Sequence, residues 1–85
     1  MKVKVLFFAG LREQLGTAAL ELDLPPGIAT LGALRVHLRS RGGAYEDALA
    51  EKQALRMAVN QEMAQPSAAL KGGDEVAFFP PVTGG

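Results

Sequence analysis

The chain has 85 residues, a length typical of one small domain with a single hydrophobic core, so residues 1–85 are predicted to form one domain. Nine basic and nine acidic residues balance without forming blocks, which argues against a nucleic-acid-binding or membrane-surface protein. The absence of cysteine excludes disulfides and thiolate catalysis, and no apolar run approaches the roughly 18 residues that span a membrane.

Two alternating segments open the chain. Residues 2–9 alternate with a period of two, which predicts a strand whose core face carries the two valines and Phe7. Residues 10–16 form a short polar connection with room for one helical turn. Residues 17–24 alternate again, and the prolines at 25–26 end this second strand. Two such runs with a short connection predict an antiparallel hairpin.

A helix is predicted to follow the hairpin. Thr30 is a suitable N-cap, and the helical pattern runs to about Arg41, just before Gly42. Leucines at i, i+3 and i+7 form one apolar stripe that would face a sheet: Leu31, Leu34 and Leu38. Residues 44–54 are weakly helical.

The second half of the chain predicts two or three further strands. Residues 55–59 alternate and end at Asn60, a short strand is predicted at 62–65, and residues 75–79 form the last strand after a Gly-Gly turn. The first and last strands are strongly apolar, so we expect them to be central, adjacent and parallel. A mixed sheet covered on one face by a helix is the α+β architecture of the β-grasp, or ubiquitin-like, fold.

No internal catalytic or metal site is predicted. The single histidine, His37, lies in the helical pattern without a second metal-ligating residue at suitable spacing or a triad partner. We expect no bound cofactor or metal, and no catalysis by the chain alone. The segment after Lys2 and Lys4 has no small-residue cleavage site, so no signal peptide is predicted and the expected location is cytoplasmic.

The C-terminal residues 80–85 are predicted to form a projecting tail. Pro80 and Pro81 end the last strand and stiffen the root of the tail. Gly84 and Gly85 carry no Cβ, so the end can pass through a narrow channel in another protein. Because no internal group offers chemistry, the Gly85 carboxylate is the candidate reactive group. Position alone also allows a frayed tail.

Several segments resemble the small subunit of molybdopterin synthase, the sulfur-carrier family of molybdenum cofactor biosynthesis. Residues 73–85, GDEVAFFPPVTGG, carry the most specific motif, and residues 5–13 and 59–61 are similar to the family's opening strand and an internal strand end. A Gly-Gly end alone is shared with the thiamine sulfur carrier and with ubiquitin-like modifiers. Residues 40–54 and 62–71 depart from the family pattern.

The resemblance implies a defined chemistry for the C-terminus. An ATP-dependent activating enzyme would adenylate Gly85, and sulfur from a persulfide donor would replace the leaving group to give a thiocarboxylate. That anionic, nucleophilic sulfur would then be delivered inside the synthase large subunit, in a heterotetramer. Two transfers to a cyclic pyranopterin monophosphate would build the dithiolene. ATP would be used by the activating enzyme, not bound by this chain.

A docking surface is predicted beside the tail. If Phe7 and Phe78 face the helix, Phe8 and Phe79 face away and form an apolar patch, as interface cores often do. Residues at the margin of this patch and along the tail are predicted to contact the large subunit: Arg12, Met63, Pro80, Pro81, Val82 and Thr83. The alternative is that residues 44–54 or 62–70 cover this face.

Three other functions use the same fold. Gly85 could be conjugated to lysines, as in a ubiquitin-like modifier, or the chain could carry sulfur in another pathway, such as thiamine synthesis. A non-covalent interaction module with an inert tail is the third.

Overall fold

In a computed structural model, five strands form one mixed sheet, and three short helices pack against one of its faces. The structure describes residues 1–81. The elements, in chain order, are β1 Lys2–Phe7, α1 Gly10–Leu15, β2 Ala19–Asp23, α2 Leu31–Arg39, α3 Ala44–Ala48, β3 Arg56–Val59, β4 Glu62–Met63 and β5 Glu75–Phe79. None of the helices in this described part of the chain has the length and apolar character that crossing a membrane requires.

The sheet order is β2-β1-β5-β3-β4. The two apolar strands β1 and β5 are adjacent, parallel and central, as the sequence predicts, while every other pair is antiparallel. In this register Leu6 lies opposite Ala77, and Arg56 lies opposite Phe79. The parallel central pair with a helix on one face confirms the predicted α+β architecture.

The core lies between the inner face of the sheet and the helices. Val5, Val76 and Phe78 are fully buried, and the rings of Phe7 and Phe78 stack with centroids 6.2 Å apart. The predicted leucine stripe of α2 is buried against them. Because burial of a leucine or phenylalanine side chain stabilises the fold by roughly 1.5–3 kcal/mol, this face of the sheet is fixed toward the helices. Its opposite face is therefore directed outward.

Helix α2 begins as predicted and ends earlier. Thr30 is the N-cap, and its hydroxyl accepts a hydrogen bond from the Ala33 backbone N–H at 3.2 Å. The helix ends at Arg39, whereas the sequence predicts its end near Arg41. Ser40 and Arg41 instead form a turn, and Gly42 closes it with a φ of 76° by donating to the Arg39 carbonyl at 3.0 Å.

The predicted weak helix at 44–54 is wrong beyond Ala48. The guanidinium of Arg35 donates hydrogen bonds to three carbonyls of the following segment: Leu49 at 2.8 Å, Ala50 at 2.6 Å and Gln53 at 3.0 Å. Carbonyls satisfied by a side chain do not need helical partners, so the chain leaves the helix and returns toward β3.

Other element bounds differ by a few residues. Strand β1 ends at Phe7 instead of residue 9, because Ala9 has a φ of 54° and turns the chain into α1, a helix of 6 residues where the sequence allowed one turn. Strand β2 spans Ala19–Asp23 within the predicted 17–24, and β3 begins at Arg56. Strand β4 has two residues, Glu62–Met63, whereas the sequence predicts 62–65; the Ala64 N–H donates to the Met57 carbonyl at 3.0 Å, which extends the pairing with β3 by one bond beyond Met63.

A buried carboxylate holds the turn before β5. Asp74 is 5% exposed, and its two oxygens accept hydrogen bonds from the Asn60 side chain at 3.0 Å and the Lys71 backbone N–H at 2.8 Å. The Asn60 side chain in turn accepts from the Glu75 N–H at 3.0 Å. The hydrogen bond from Lys71, followed by that from Asn60, lowers the pKa of Asp74 below its ordinary value of 3.8.

We expect Asp74→Asn to destabilise the protein at pH 7 by about 1–3 kcal/mol, because an amide N–H₂ would face a donor. A lowered folded pKa stabilises the fold fully above the unfolded pKa and stops doing so as pH falls through the folded value. Urea unfolding at pH 7 and pH 3 should therefore show that the free energy of unfolding falls less between these two pH values for the variant than for the wild type. Asp47→Asn, at an exposed position of α3, is the control; equal pH dependence of Asp74→Asn and the wild type would contradict the prediction.

Candidate protein interface and tail root

The outer face of the sheet is divided into a charged half and an apolar half. Lys4 lies between Glu21 of β2 and Glu75 of β5 in the cross-strand register. One rung further along, the outward residues across all five strands are apolar: Ala19, Leu6, Ala77, Ala58 and Met63. The apolar half lies at the end of the sheet where β5 finishes at Phe79, so it is next to the start of the tail.

Phe8 and Phe79 lie together in this apolar half, as their parity predicts. Both line a groove of about 390 Å³, together with Leu6 and Ala77. Phe8 is 45% exposed, and its backbone N–H donates to the Phe78 carbonyl at 3.2 Å, which ties it to β5 beyond the end of β1. We call Leu6, Phe8, Met63, Ala77 and Phe79 the outer apolar patch.

Apart from Met63, which is itself part of the patch, the segments that could have covered this patch pack elsewhere. Ala48 and Leu49 are part of the hydrophobic core on the helix side. The 62–70 segment runs toward α2, where the N–H of Gly32 donates to the Pro66 carbonyl at 2.8 Å and Leu70 is buried. Within residues 1–81, the alternative that the chain covers its own outer face is therefore wrong.

The two residues predicted at the margin of the patch, Met63 and Arg12, lie in different elements. Met63 belongs to the patch, because it pairs with Ala58 across β3 and β4, and it is 60% exposed. Arg12 is exposed on α1, which begins two residues after Phe8. Its side chain forms no hydrogen bond or ion pair with any residue of the described range. The interface roles of both residues stay predictions.

The tail leaves the sheet beside a second groove. Pro80 and Pro81 are partly buried, and Pro81 lines a groove of about 500 Å³ at the end of the sheet where β3 begins. We call it the tail-root groove; its wall includes Arg35, Leu55, Arg56, Met57, Met63 and Pro81. Met63 belongs to both surfaces, so they are continuous. The predicted tail residues Val82, Thr83, Gly84 and Gly85 lie outside the described residues.

The described residues form no metal-binding cluster. Among residues 1–81 no three His, Asp or Glu side chains are grouped so that they could hold a metal ion, and His37 is a partly exposed residue of α2. Leu6, Ala77 and Arg56 are surface residues that were not predicted from the sequence as part of an interface. Alternation along β1 and β5 could have found the first two, whereas placing Arg56 requires the pairing of β3 with β5.

The profile of the ThiS family matches residues 5–85. The chain belongs to the ThiS family. Two relatives carry the name molybdopterin synthase sulfur carrier subunit: the one from Haemophilus influenzae is 47% identical over 83 residues, and the one from Escherichia coli is 48% identical over 85 residues. Each alignment covers 98% of this chain and 99% of the relative. This confirms the resemblance inferred from the C-terminal motif.

Solved structures agree with the fold of this ThiS family chain. A putative molybdopterin converting factor, subunit 1, from Pyrococcus furiosus superposes with a TM-score of 0.80 at 32% identity, covering 96% of this chain and 99% of that one. A chain from the complex of subunits 1 and 2 of the molybdopterin-converting factor of Helicobacter pylori has the same fold, with a TM-score of 0.68, 23% identity and full coverage of both chains.

Proposed function

We propose that this chain is the sulfur carrier subunit of a molybdopterin synthase and carries sulfur as a thiocarboxylate on Gly85. Membership of the ThiS family supports the class, and the names of the relatives support the pathway. The structural observation that carries the proposal is the position of the outer apolar patch at the end of the sheet where the tail begins. A partner that binds this patch is brought next to the tail.

Loading of the sulfur is a sequence of one adenylyl transfer, one acyl transfer and one reduction. A carboxylate has a pKa near 3.5, so it is ionised at pH 7 and a poor electrophile. An activating enzyme lets a Gly85 oxygen attack the α-phosphate of ATP, which releases pyrophosphate and leaves an acyl adenylate. The terminal sulfur of a donor persulfide then attacks the acyl carbon, and AMP leaves. A thiol attacks the donor's sulfur in the resulting acyl disulfide, which frees the thiocarboxylate and leaves the thiol and the donor joined as a disulfide.

Delivery requires docking on the synthase large subunit. The outer apolar patch would be buried against that subunit while the tail reaches its active site. There the thiocarboxylate sulfur attacks a carbon of a pyranopterin and displaces an oxygen substituent, and water then cleaves the bond between the acyl carbon and the sulfur, so that the sulfur stays on the pterin and Gly85 returns to a carboxylate. Two such transfers form the dithiolene. Apolar residues at the centre and charges toward the edge match the usual anatomy of an interface. One tail cannot occupy two active sites, so the activating enzyme and the large subunit bind in turn. Two carriers on a dimer of large subunits would give the heterotetramer.

Intact-mass measurement tests the loading step. The purified chain would be incubated with its activating enzyme, ATP and a persulfide donor, and a control reaction would lack ATP. We expect an ATP-dependent mass gain equal to the exchange of one oxygen for sulfur, located by fragmentation on Gly85. Absence of the gain under conditions in which AMP is formed would contradict the proposal. Isopeptide conjugates of Gly85 with lysines would instead identify a protein modifier.

A further inference from the structure

Arg56 introduces a charge into the apolar half of the outer face. It is the first residue of β3, lies opposite Phe79 in the sheet register, and is exposed. The ion pairs formed among residues 1–81 involve other cations, the N-terminal amine and Arg39, and the Arg56 side chain makes no hydrogen bond within this range. Its position places it between the outer apolar patch and the tail-root groove.

The surroundings of Arg56 are positive and apolar. The tail-root groove is lined by two arginines, Arg35 and Arg56, and by no aspartate or glutamate. The hydrogen bonds of Arg35 to backbone carbonyls hold its guanidinium in place through Nε and Nη2. Desolvation, and then repulsion from Arg39, lower the pKa of Arg35, while Glu51 opposes this shift. Arginine nevertheless stays protonated at neutral pH, so Arg35 is a cation. An anionic group entering the groove would meet two cations.

Docking through the patch would remove water from Arg56. A desolvated charge in an interface is unfavourable unless an opposite charge with good geometry faces it. The planar guanidinium matches a carboxylate with two parallel hydrogen bonds, and arginine is enriched among the residues that dominate binding energy. An apolar partner surface facing Arg56 would instead leave a buried, unpaired cation.

We propose that Arg56 pairs with a carboxylate side chain of the synthase large subunit at the mouth of the tail-root groove. This inference rests on the proposed function, because it names the chemistry of the partner at the same surface. Pairing there fixes the rotation of the carrier on its partner, which the apolar patch alone defines poorly. Since Pro81 lines the same groove, a fixed rotation also aims the tail.

Calorimetric titration of the purified large subunit with unmodified carrier tests the pairing. Arg56→Leu keeps apolar area and removes the charge, and we expect at least about a tenfold weaker Kd, because the partner carboxylate is left unpaired. The Kd of Arg56→Lys should lie between those of the wild type and Arg56→Leu, since lysine keeps the charge but cannot donate two parallel hydrogen bonds from a planar group. Lys71→Leu removes the same charge at an exposed position in the segment before β5 and should change Kd by less than about twofold. The difference between wild type and Arg56→Leu should shrink as salt increases.

The outcomes separate this inference from the proposed function. An Arg56→Leu variant that binds as tightly as the wild type, or more tightly, overturns the pairing even if Phe79→Lys abolishes binding. Unchanged or tighter binding by Arg56→Leu is also the result expected if Arg56 pairs with the chain's own C-terminal carboxylate instead of with the partner. A wild-type chain that does not bind the large subunit overturns both proposals. Thermal unfolding of each variant checks that the fold is unchanged.

Discussion

Replacement of Phe79 by lysine is expected to weaken binding to the synthase large subunit by at least about 100-fold, because an aromatic anchor at the centre of an interface is replaced by a charge. Phe79 is partly exposed at the end of β5 and lines the same groove as Phe8. Burial of such a side chain contributes roughly 1.5–3 kcal/mol, and a lysine at the same position must also be desolvated. Phe8→Lys should have a similar effect.

A matched control separates the patch from general surface hydrophobicity. Val36 is 56% exposed on α2, on the helix side of the sheet, so Val36→Lys makes a comparable change away from the patch. Pull-down with tagged large subunit, followed by titration calorimetry, should show binding by Val36→Lys and not by Phe79→Lys. Circular dichroism on heating must show that both variants fold. Normal complex formation by Phe8→Lys and Phe79→Lys would contradict the interface.

The sequence predicts the central sheet and the patch because both depend on alternation. A period of two places Phe7 and Phe78 on the buried face of the sheet. It places Phe8 and Phe79 on the outer face. Pairing of the two most apolar strands then brings both outward rings together. The structure adds that Ala77 and Ala58 lie beside Leu6 on the neighbouring strands. This arrangement depends on the register between strands and cannot be inferred from any one strand.

The parts that the sequence mispredicts depend on contacts between distant residues. Helix α3 is short because Arg35, on another helix, binds carbonyls 14 to 18 residues away. Local helical propensity in 49–54 is weak, so such a tertiary contact overrides it. Arg56 reads as an ordinary exposed residue of a strand until β3 is paired with β5 and the charge is seen beside Phe79.

Docking and chemistry should be separable, because they depend on different parts of the chain. The patch and Arg56 lie on the rigid sheet, whereas the proposed reactive atom belongs to Gly85, four residues beyond Pro81. An extended residue spans about 3.3–3.6 Å. A change of one residue in the tail would therefore move the terminal carboxylate by more than the tolerance of a near-attack geometry, in which reacting atoms are about 3–3.5 Å apart.

Deletion of Gly85 is expected to lower dithiolene formation by the reconstituted synthase by at least about 1000-fold, because even a 1 Å misplacement can reduce a rate about 100-fold. The variant still ends in a glycine carboxylate, so the loss would result from position and not from chemical type. An added glycine after Gly85 is the complementary variant and should also be inactive. Both should bind the large subunit within about twofold of the wild type, since the sheet surface is unchanged. Sulfur transfer by the shortened chain at a normal rate would show that Gly85 is not the carrier residue, and loss of binding would show that the tail, rather than the patch, provides the docking energy.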